Sequence, residues 1–174
     1  KSKQIIMQVE NFEDQKWQAK EQKTNFRLET ALAMIEKGEV LDLGCGDGFL
    51  LLKLKERGIL GRGLDISHIA VKKANKAGVK AEVFDFSANK LPFSDETFAN
   101  VILLDVLEHL YKPFDVLREA VRVCKENVII ATPNFNSLPA RLQVLLGKTP
   151  ENNQPKKGHI FWFNNKVLVN MLKQ

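Results

Sequence analysis

Apolar and polar positions along this chain switch repeatedly between a helical and a strand period, and the switches mark the elements. Over residues 13–37, charged positions surround Phe26, Leu28, Leu32 and Ile35 at mostly helical spacings, which predicts one leading amphipathic helix ending at Gly38. The apolar run 40–43 reads as a first strand. Leu50, Leu51 and Leu54 make the buried side of the next helix, which Gly58 stops. Residues 61–66 form a short second strand ending in Asp65. Ser67 caps a helix running to about Ala77, where Gly78 terminates it. A third strand over 79–84 closes on Asp85, and the loop 87–97 carries Pro92 with no apolar period. Residues 98–104 are the fourth strand, 113–124 a helix, and 127–131 a fifth strand rich in β-branched residues. Beyond them, 137–146 is helical, 147–158 is a polar loop, and Asn164 caps a last helix to about Leu172.

Strands alternating with helices predict an α/β fold, a doubly wound and mostly parallel sheet with helices on both faces. The 174 residues, 44% of them hydrophobic, suffice for one domain with a real core. Within it, residues 1–38 form an N-terminal helical cap, 39–135 a cofactor-binding α/β unit, and 136–174 a C-terminal helical or lid segment. Cys45 and Cys124 lie far apart without metal-ligand spacing, so no metal site is expected. With no signal peptide or long apolar run, a reduced cytoplasmic protein away from membranes is the expectation. The formal charge of +5 is scattered over many segments rather than gathered in one stripe, which disfavours nucleic acid as a partner.

The chemistry centres on Val40-Leu41-Asp42-Leu43-Gly44-Cys45-Gly46-Asp47-Gly48, where an apolar strand breaks into three alternate glycines and leads into a helix. Such a turn lets a ligand lie against bare backbone, and an adenosine-containing cofactor is its natural occupant. In doubly wound sheets ligands sit outside the carboxyl ends of the strands. Asp42, Gly44, Asp65, Asp85 and Asp105 all fall at or near such ends. Asp65 follows Gly44 by 21 positions, where a ribose diol would meet a bidentate acceptor. A dinucleotide turn needs its third glycine three residues after the second; here the interval is two, position 49 is Phe, and Asp47 adds negative charge at the supposed phosphate site. These features argue against NAD. S-adenosylmethionine has no phosphate and carries a cationic sulfonium and amine, so the acidic residues become favourable.

At these residues the chain resembles the class I S-adenosylmethionine-dependent methyltransferases. The likeness continues in order through Gly63-Leu64-Asp65-Ile66-Ser67, Phe84-Asp85-Phe86, Leu91-Pro92-Phe93, residues 98–104 and Leu107-Glu108-His109-Leu110. It implies strand order 3-2-1-4-5, S-adenosylmethionine as cofactor and S-adenosylhomocysteine as product. By the same resemblance Gly44 and Gly46, with Cys45 and Gly48 in the same bend, approach the methionine part, and Asp42 lies near its amine. Asp65 holds the ribose hydroxyls, Ile66 packs on adenine, Asp85 and the Phe86 amide recognise its edge, and Leu104 and Asp105 line the floor beneath the sulfonium. The sixth strand and antiparallel seventh of that family have no counterpart in these residues: either the sequence stops short of them or the sheet lacks that edge, and the cofactor half is kept in both cases. A narrower similarity, carried by Thr132-Pro133-Asn134-Phe135, Arg141-Leu142-Gln143-Val144-Leu145-Leu146-Gly147, Pro150 and His159, is to the MetW family, linked to methionine biosynthesis.

The sulfonium methyl is already activated, so the protein need only hold a nucleophile in line with it in a dry pocket. His109 is the candidate general base, since histidine titrates near neutrality and this one follows the fourth strand. His159, followed by Phe161, Trp162 and Phe163, forms a candidate lid over the acceptor. Tyr111 and Asn134 are weaker candidates for orienting it, Trp17 and Lys20 for shielding the cofactor, and His68 sits on a solvated helix. The expected activity is methyl transfer to an O, N or C nucleophile of a small molecule. A second reading is a MetW-like accessory protein that binds the cofactor, turns over little and works through a protein partner. A nucleic-acid methyltransferase ranks below both, because Leu104-Asp105-Val106-Leu107 stands where amino methyltransferases acting on bases carry Asn-Pro-Pro-aromatic.

Overall fold

The computed structural model describes residues 2–150 and 157–173. In chain order the elements are helices α1 (Ser2–Ala19) and α2 (Phe26–Met34), strand β1 (Val40–Leu43), α3 (Phe49–Glu56), β2 (Gly61–Asp65), α4 (His68–Lys76), β3 (Lys80–Val83) and β4 (Phe98–Leu104). A 3-10 turn (Leu107–His109), α5 (Pro113–Val123), β5 (Cys124–Ala131), α6 (Leu138–Leu145) and α7 (Asn165–Leu172) follow. The five strands pair in the order β3-β2-β1-β4-β5, all parallel, as the pattern and the resemblance imply.

Strands covered on both faces read as continuous apolar runs, and β1 is buried along its whole length. Period two divides its side chains. Val40 with Ile102 of β4 faces a cluster closed by Leu28, Leu32, Leu50, Leu54 and Val71 of α2, α3 and α4. Leu41 and Leu43, with Val101 and Leu103, face the opposite cluster, closed by Leu117 and Val123 around α5 and by Phe163 and Met171 near α7. Caps fall where expected: Ser67 Oγ accepts from Ala70 N (3.1 Å) and Asn164 Oδ1 from Val167 N (2.9 Å).

The leading helix is where the structure departs from the pattern. One helix over 13–37 was expected; instead α1 and α2 are separated by residues 20–25. Asn25 is extended and its side chain accepts from Leu28 N (3.0 Å), starting a new helix. Gln22 N donates to Asp47 Oδ2 (2.8 Å), drawing the linker onto the glycine bend. Elsewhere β3 is shorter than expected, and β5 starts at Cys124, directly after α5; its pairing with β4 carries a register irregularity between Phe98 and Asn100. Among the described residues β5 is a sheet edge, and no helix is long and apolar enough to cross a membrane.

Candidate functional site

The bend after β1 is built by glycines in the left-handed region, Gly44 at φ +78°, Gly46 at +56° and Gly48 at +78°. Its amides are spent locally: Gly44 N and Cys45 N donate to Leu64 O (2.7 and 3.2 Å), and Gly46 N donates to Asp65 Oδ2 (2.8 Å). The other carboxylate oxygen of Asp65 accepts from Ser67 N (2.9 Å). Two backbone donors thus clamp Asp65 at the lip of a cavity of about 710 Å³ that opens at the carboxyl ends of the strands.

Gly44, Asp65, Ile66, Asp85, Phe86, Leu104 and Asp105 all stand in that cavity's wall, together with His109, Tyr111 and His159. Asp42, Cys45, Gly46 and Gly48 do not. Asp42 is buried beneath the bend. The Cys45 side chain points into the core, where a Cβ on Gly63 would come 2.4 Å from its sulfur. A Cβ on Gly48 would meet Val79 Cγ2 at 2.5 Å and Ala74 Cβ at 2.9 Å, so this glycine serves close packing against α4. At Gly46 the neighbour is Trp17, whose ring carbons would lie 2.5 Å from a Cβ. The indole, 5% exposed, roofs the bend and leaves Gly44 as the glycine that meets the cavity. Trp17, with Lys20 Nζ 4.7 Å from its ring centre, therefore covers this end of the bend.

Helix α1 is held over the bend by specific bonds. Asp14 Oδ1 accepts from Ile69 N (3.1 Å) and from the Ser67 hydroxyl at the start of α4, and Lys73 Nζ donates to Lys20 O (2.9 Å). His68, exposed on α4, pairs with Glu10 at 2.7 Å. On the far wall, Asp85 Oδ1 accepts from Ser87 N (2.9 Å) while its Oδ2 is buried with no hydrogen-bond partner. A buried acceptor left open at a cavity wall fits a donor from a bound molecule, such as an adenine amine. The loop behind it is anchored by Arg122, which donates to the Phe93 and Leu91 carbonyls and to Asp95.

At the end of β4, Asp105 has φ +56°, a conformation a non-glycine residue rarely adopts. Arg27 Nη1 stands 3.0 Å from Asp105 Oδ1 without hydrogen-bond geometry, so that oxygen has a charge partner but no hydrogen bond. Burial pushes the Asp105 carboxyl up, opposed by Arg27. Next along the chain, the Glu108 carbonyl accepts from Ile160 N (2.8 Å) and Phe161 N (3.0 Å), which straps the segment around His159 to the 3-10 turn. His109 Nδ1 lies 3.1 Å from Gly158 O. A carbonyl only accepts, so Nδ1 carries the hydrogen and the other ring nitrogen keeps its lone pair. Burial first, and the Lys16 charge second, push His109 down to about 4, leaving it neutral at pH 7.

Burial also pushes Glu108 up to about 7 and, with Asp65 nearby, Asp42 up to about 7. Desolvation raises Asp65 as well. A cationic ligand would favour the ionised form of each carboxylate it approaches.

The aromatic lid does not form as expected. Phe163 is in the core with Phe161 stacked 5.8 Å away, Trp162 stacks on Phe135 at 6.2 Å, and none of the three lines the cavity. Asn134 also stays out of the wall, its side chain accepting from Asn136 N (2.9 Å). Glu108 and Arg27 are wall residues that sequence reasoning missed as site groups. Glu108 had one signal, an acid beside His109 in an otherwise apolar stretch; Arg27 had none.

A family model described as Methionine biosynthesis protein MetW matches residues 25–171. The chain belongs to the MetW family. That match takes in every cavity-wall residue from Asn25 onward and leaves out α1, so the Trp17 roof lies outside the part shared with the MetW family. Curated relatives include 27-O-demethylrifamycin SV methyltransferase of Amycolatopsis mediterranei (strain S699), 30% identical over 66% of this chain and 44% of the relative. Ubiquinone biosynthesis O-methyltransferase of Aliivibrio fischeri (strain MJ11) is 31% identical over 64% of this chain and 50% of its own length. The chain spans about half the length of these curated relatives. Among solved structures, magnesium protoporphyrin IX methyltransferase from Synechocystis PCC 6803, with bound SAH, superposes with a TM-score of 0.73 at 17% identity, over 96% of this chain and 87% of that one. The PH0226 protein of Pyrococcus horikoshii OT3 gives 0.59 at 32% identity, over 67% and 60%. The MetW-family chain thus has the Rossmann-like fold of class I methyltransferases.

Proposed function

We propose that this MetW-family chain binds S-adenosylmethionine and transfers its methyl group to a nucleophilic atom of a small molecule, with oxygen favoured by the names of its curated relatives. The observation that carries the reading is the single cavity in which Gly44, Asp65, Asp85 and Asp105 converge from the ends of β1, β2, β3 and β4. When bound, the cofactor supplies a methyl already activated on a sulfonium. Asp65, clamped by two amides and keeping free lone pairs, accepts from the ribose hydroxyls. Ile66 packs on the adenine, and the open Asp85 oxygen with the Phe86 amide reads its edge. Gly44 and Leu104 bring the wall close, while Asp105 and the buried Asp42 supply negative charge toward the cationic end. His109, neutral and with one ring nitrogen free to act, activates the acceptor atom. The free thiols Cys45 and Cys124 suit a reducing cytoplasm.

Titration calorimetry with S-adenosylhomocysteine tests the reading: micromolar binding is expected, with no heat from NADH. Asp65→Ala should weaken binding ten- to a hundredfold, about 1–3 kcal/mol. No binding to the wild type, or equal affinity in the variant, would overturn it. Release of S-adenosylhomocysteine during turnover with phenolic and carboxylic acceptors separates methyl transfer from mere cofactor binding.

A further inference from the structure

We propose that Glu108, His109 and His159 bind a divalent transition-metal ion on the acceptor side of the cavity. One ligand atom from each lies within 4.8 Å of the others, and all three line the cavity wall. Ligands about 2.0–2.2 Å from one ion stand roughly 3–4 Å apart, so closure by about 1–2 Å through rotation of the side chains completes the site. Two imidazoles and one carboxylate form the donor set that first-row ions such as Zn²⁺, Fe²⁺ and Co²⁺ take up with positions left open.

A second, independent observation points to a ligand. Glu108 is 1% exposed, yet its Oε1 has no hydrogen-bond partner and stands 4.0 Å from His159 Nε2. A buried acceptor in that state calls for something between the two side chains. The surrounding bonds are those that orient metal ligands. The Nδ1–H of His109 donates to Gly158 O, and the Thr132 hydroxyl donates to the other Glu108 oxygen at 3.1 Å. The strap from Ile160 N and Phe161 N to the Glu108 carbonyl fixes His159 beside the carboxylate.

The ion's chemical part rests on the methyl-transfer reading above. An acceptor hydroxyl on an open position of the ion would lose its proton more readily, to solvent water at the cavity mouth, and the resulting oxyanion would form the O–CH3 bond as the S–CH3 bond breaks with its electron pair left on sulfur; His109 would then serve as a ligand rather than by taking the proton itself. Ion binding does not depend on that reading and is measured without cofactor. Metal-free protein titrated with Co²⁺ should develop visible d–d absorption that saturates at one ion per chain, in the micromolar range. Glu108→Gln and His159→Asn should each weaken Co²⁺ binding at least tenfold, while His68→Asn, on the solvated face of α4, leaves it unchanged. Absence of saturable absorption up to millimolar Co²⁺, or undiminished affinity in His159→Asn, would overturn the proposal. Thermal unfolding checks that the variants fold; should Glu108→Gln fail, the wild-type titration and His159→Asn decide. Binding of S-adenosylhomocysteine without Co²⁺ binding sinks this proposal and leaves the methyltransferase reading standing, and the converse result does the reverse.

Discussion

At the ends of β1 and β2 the cavity is bounded by a backbone bend of three left-handed glycines, of which Gly44 meets the cavity, and the Gly44 and Gly46 amides are tied to Leu64 and Asp65. At the end of β4 the wall is side chains from segments far apart in the chain, His109 meeting Gly158 across 49 residues. The first half is a local consequence of one nonapeptide and has little freedom. The second exists only because the chain returns through residues 158–163 and bonds to the carbonyl of Glu108. A binding surface that must be the same for one invariant molecule can be written in backbone, whereas a surface adapted to a particular acceptor is assembled from loops.

The sharpest way to break this contrast is at Gly48. A valine there must adopt φ +78° with its Cβ 2.5 Å from Val79 Cγ2 and 3.2 Å from the Ala74 backbone. Strain and overpacking together cost about 4 kcal/mol, read as a loss of unfolding free energy in urea. A loss under 1 kcal/mol would mean that the bend tolerates a side chain and is not set by its glycines.

On the other half, His109→Ala should lower methyl transfer about a hundredfold or more and leave S-adenosylhomocysteine affinity within about twofold, since in the proposed reading His109 stands on the acceptor side. Steady-state rates with calorimetry on the same sample check it. Equal losses in rate and cofactor affinity would erase the division between the halves.

That division also explains what could be read from the sequence. Five strands, their order through the resemblance, and the Ser67 and Asn164 caps were legible because each rests on a local period or a single capping residue. Asp65 and Asp85 were legible as residues ending strands. The break between α1 and α2 was not, because no glycine or proline marks it: Asn25 caps α2, and Gln22 is held by Asp47, a partner 25 residues away. Trp17 over Gly46 was legible as shielding and not as a roof, since nothing local sets the docking of α1. Glu108 was passed over because its neighbour His159 reaches it through a fold-back that no periodicity announces.

A pH series sharpens the comparison on the glycine side. Asp42 is held up to about 7 in the folded chain, chiefly by burial, against an ordinary value of 3.8. The folded state therefore binds a proton that the unfolded chain has released. This contribution to stability is fully present below about pH 4 and is lost as pH rises through 7. Asp42→Asn removes the titration, so the variant should gain on the wild type by roughly 2 kcal/mol between pH 5 and pH 8. Urea unfolding at each pH measures the difference; a constant offset would show that Asp42 is not a charge forced under the bend.

The smallest effect is expected where the roof meets the frame. Asp14 accepts from Ile69 N at 3.1 Å and from the Ser67 hydroxyl, satisfying the start of α4 from a different helix. Truncating it in Asp14→Ala removes a charged acceptor from a helix N-terminus at a cost of about 1 kcal/mol. Because α1 carries Trp17 over Gly46, loosening α1 opens the glycine side and leaves the His109 side alone. S-adenosylhomocysteine should dissociate a few times faster from Asp14→Ala in stopped-flow measurements, with no change in Co²⁺ affinity. A shift in both would show that the two halves are mechanically one, joined through the helix that covers them.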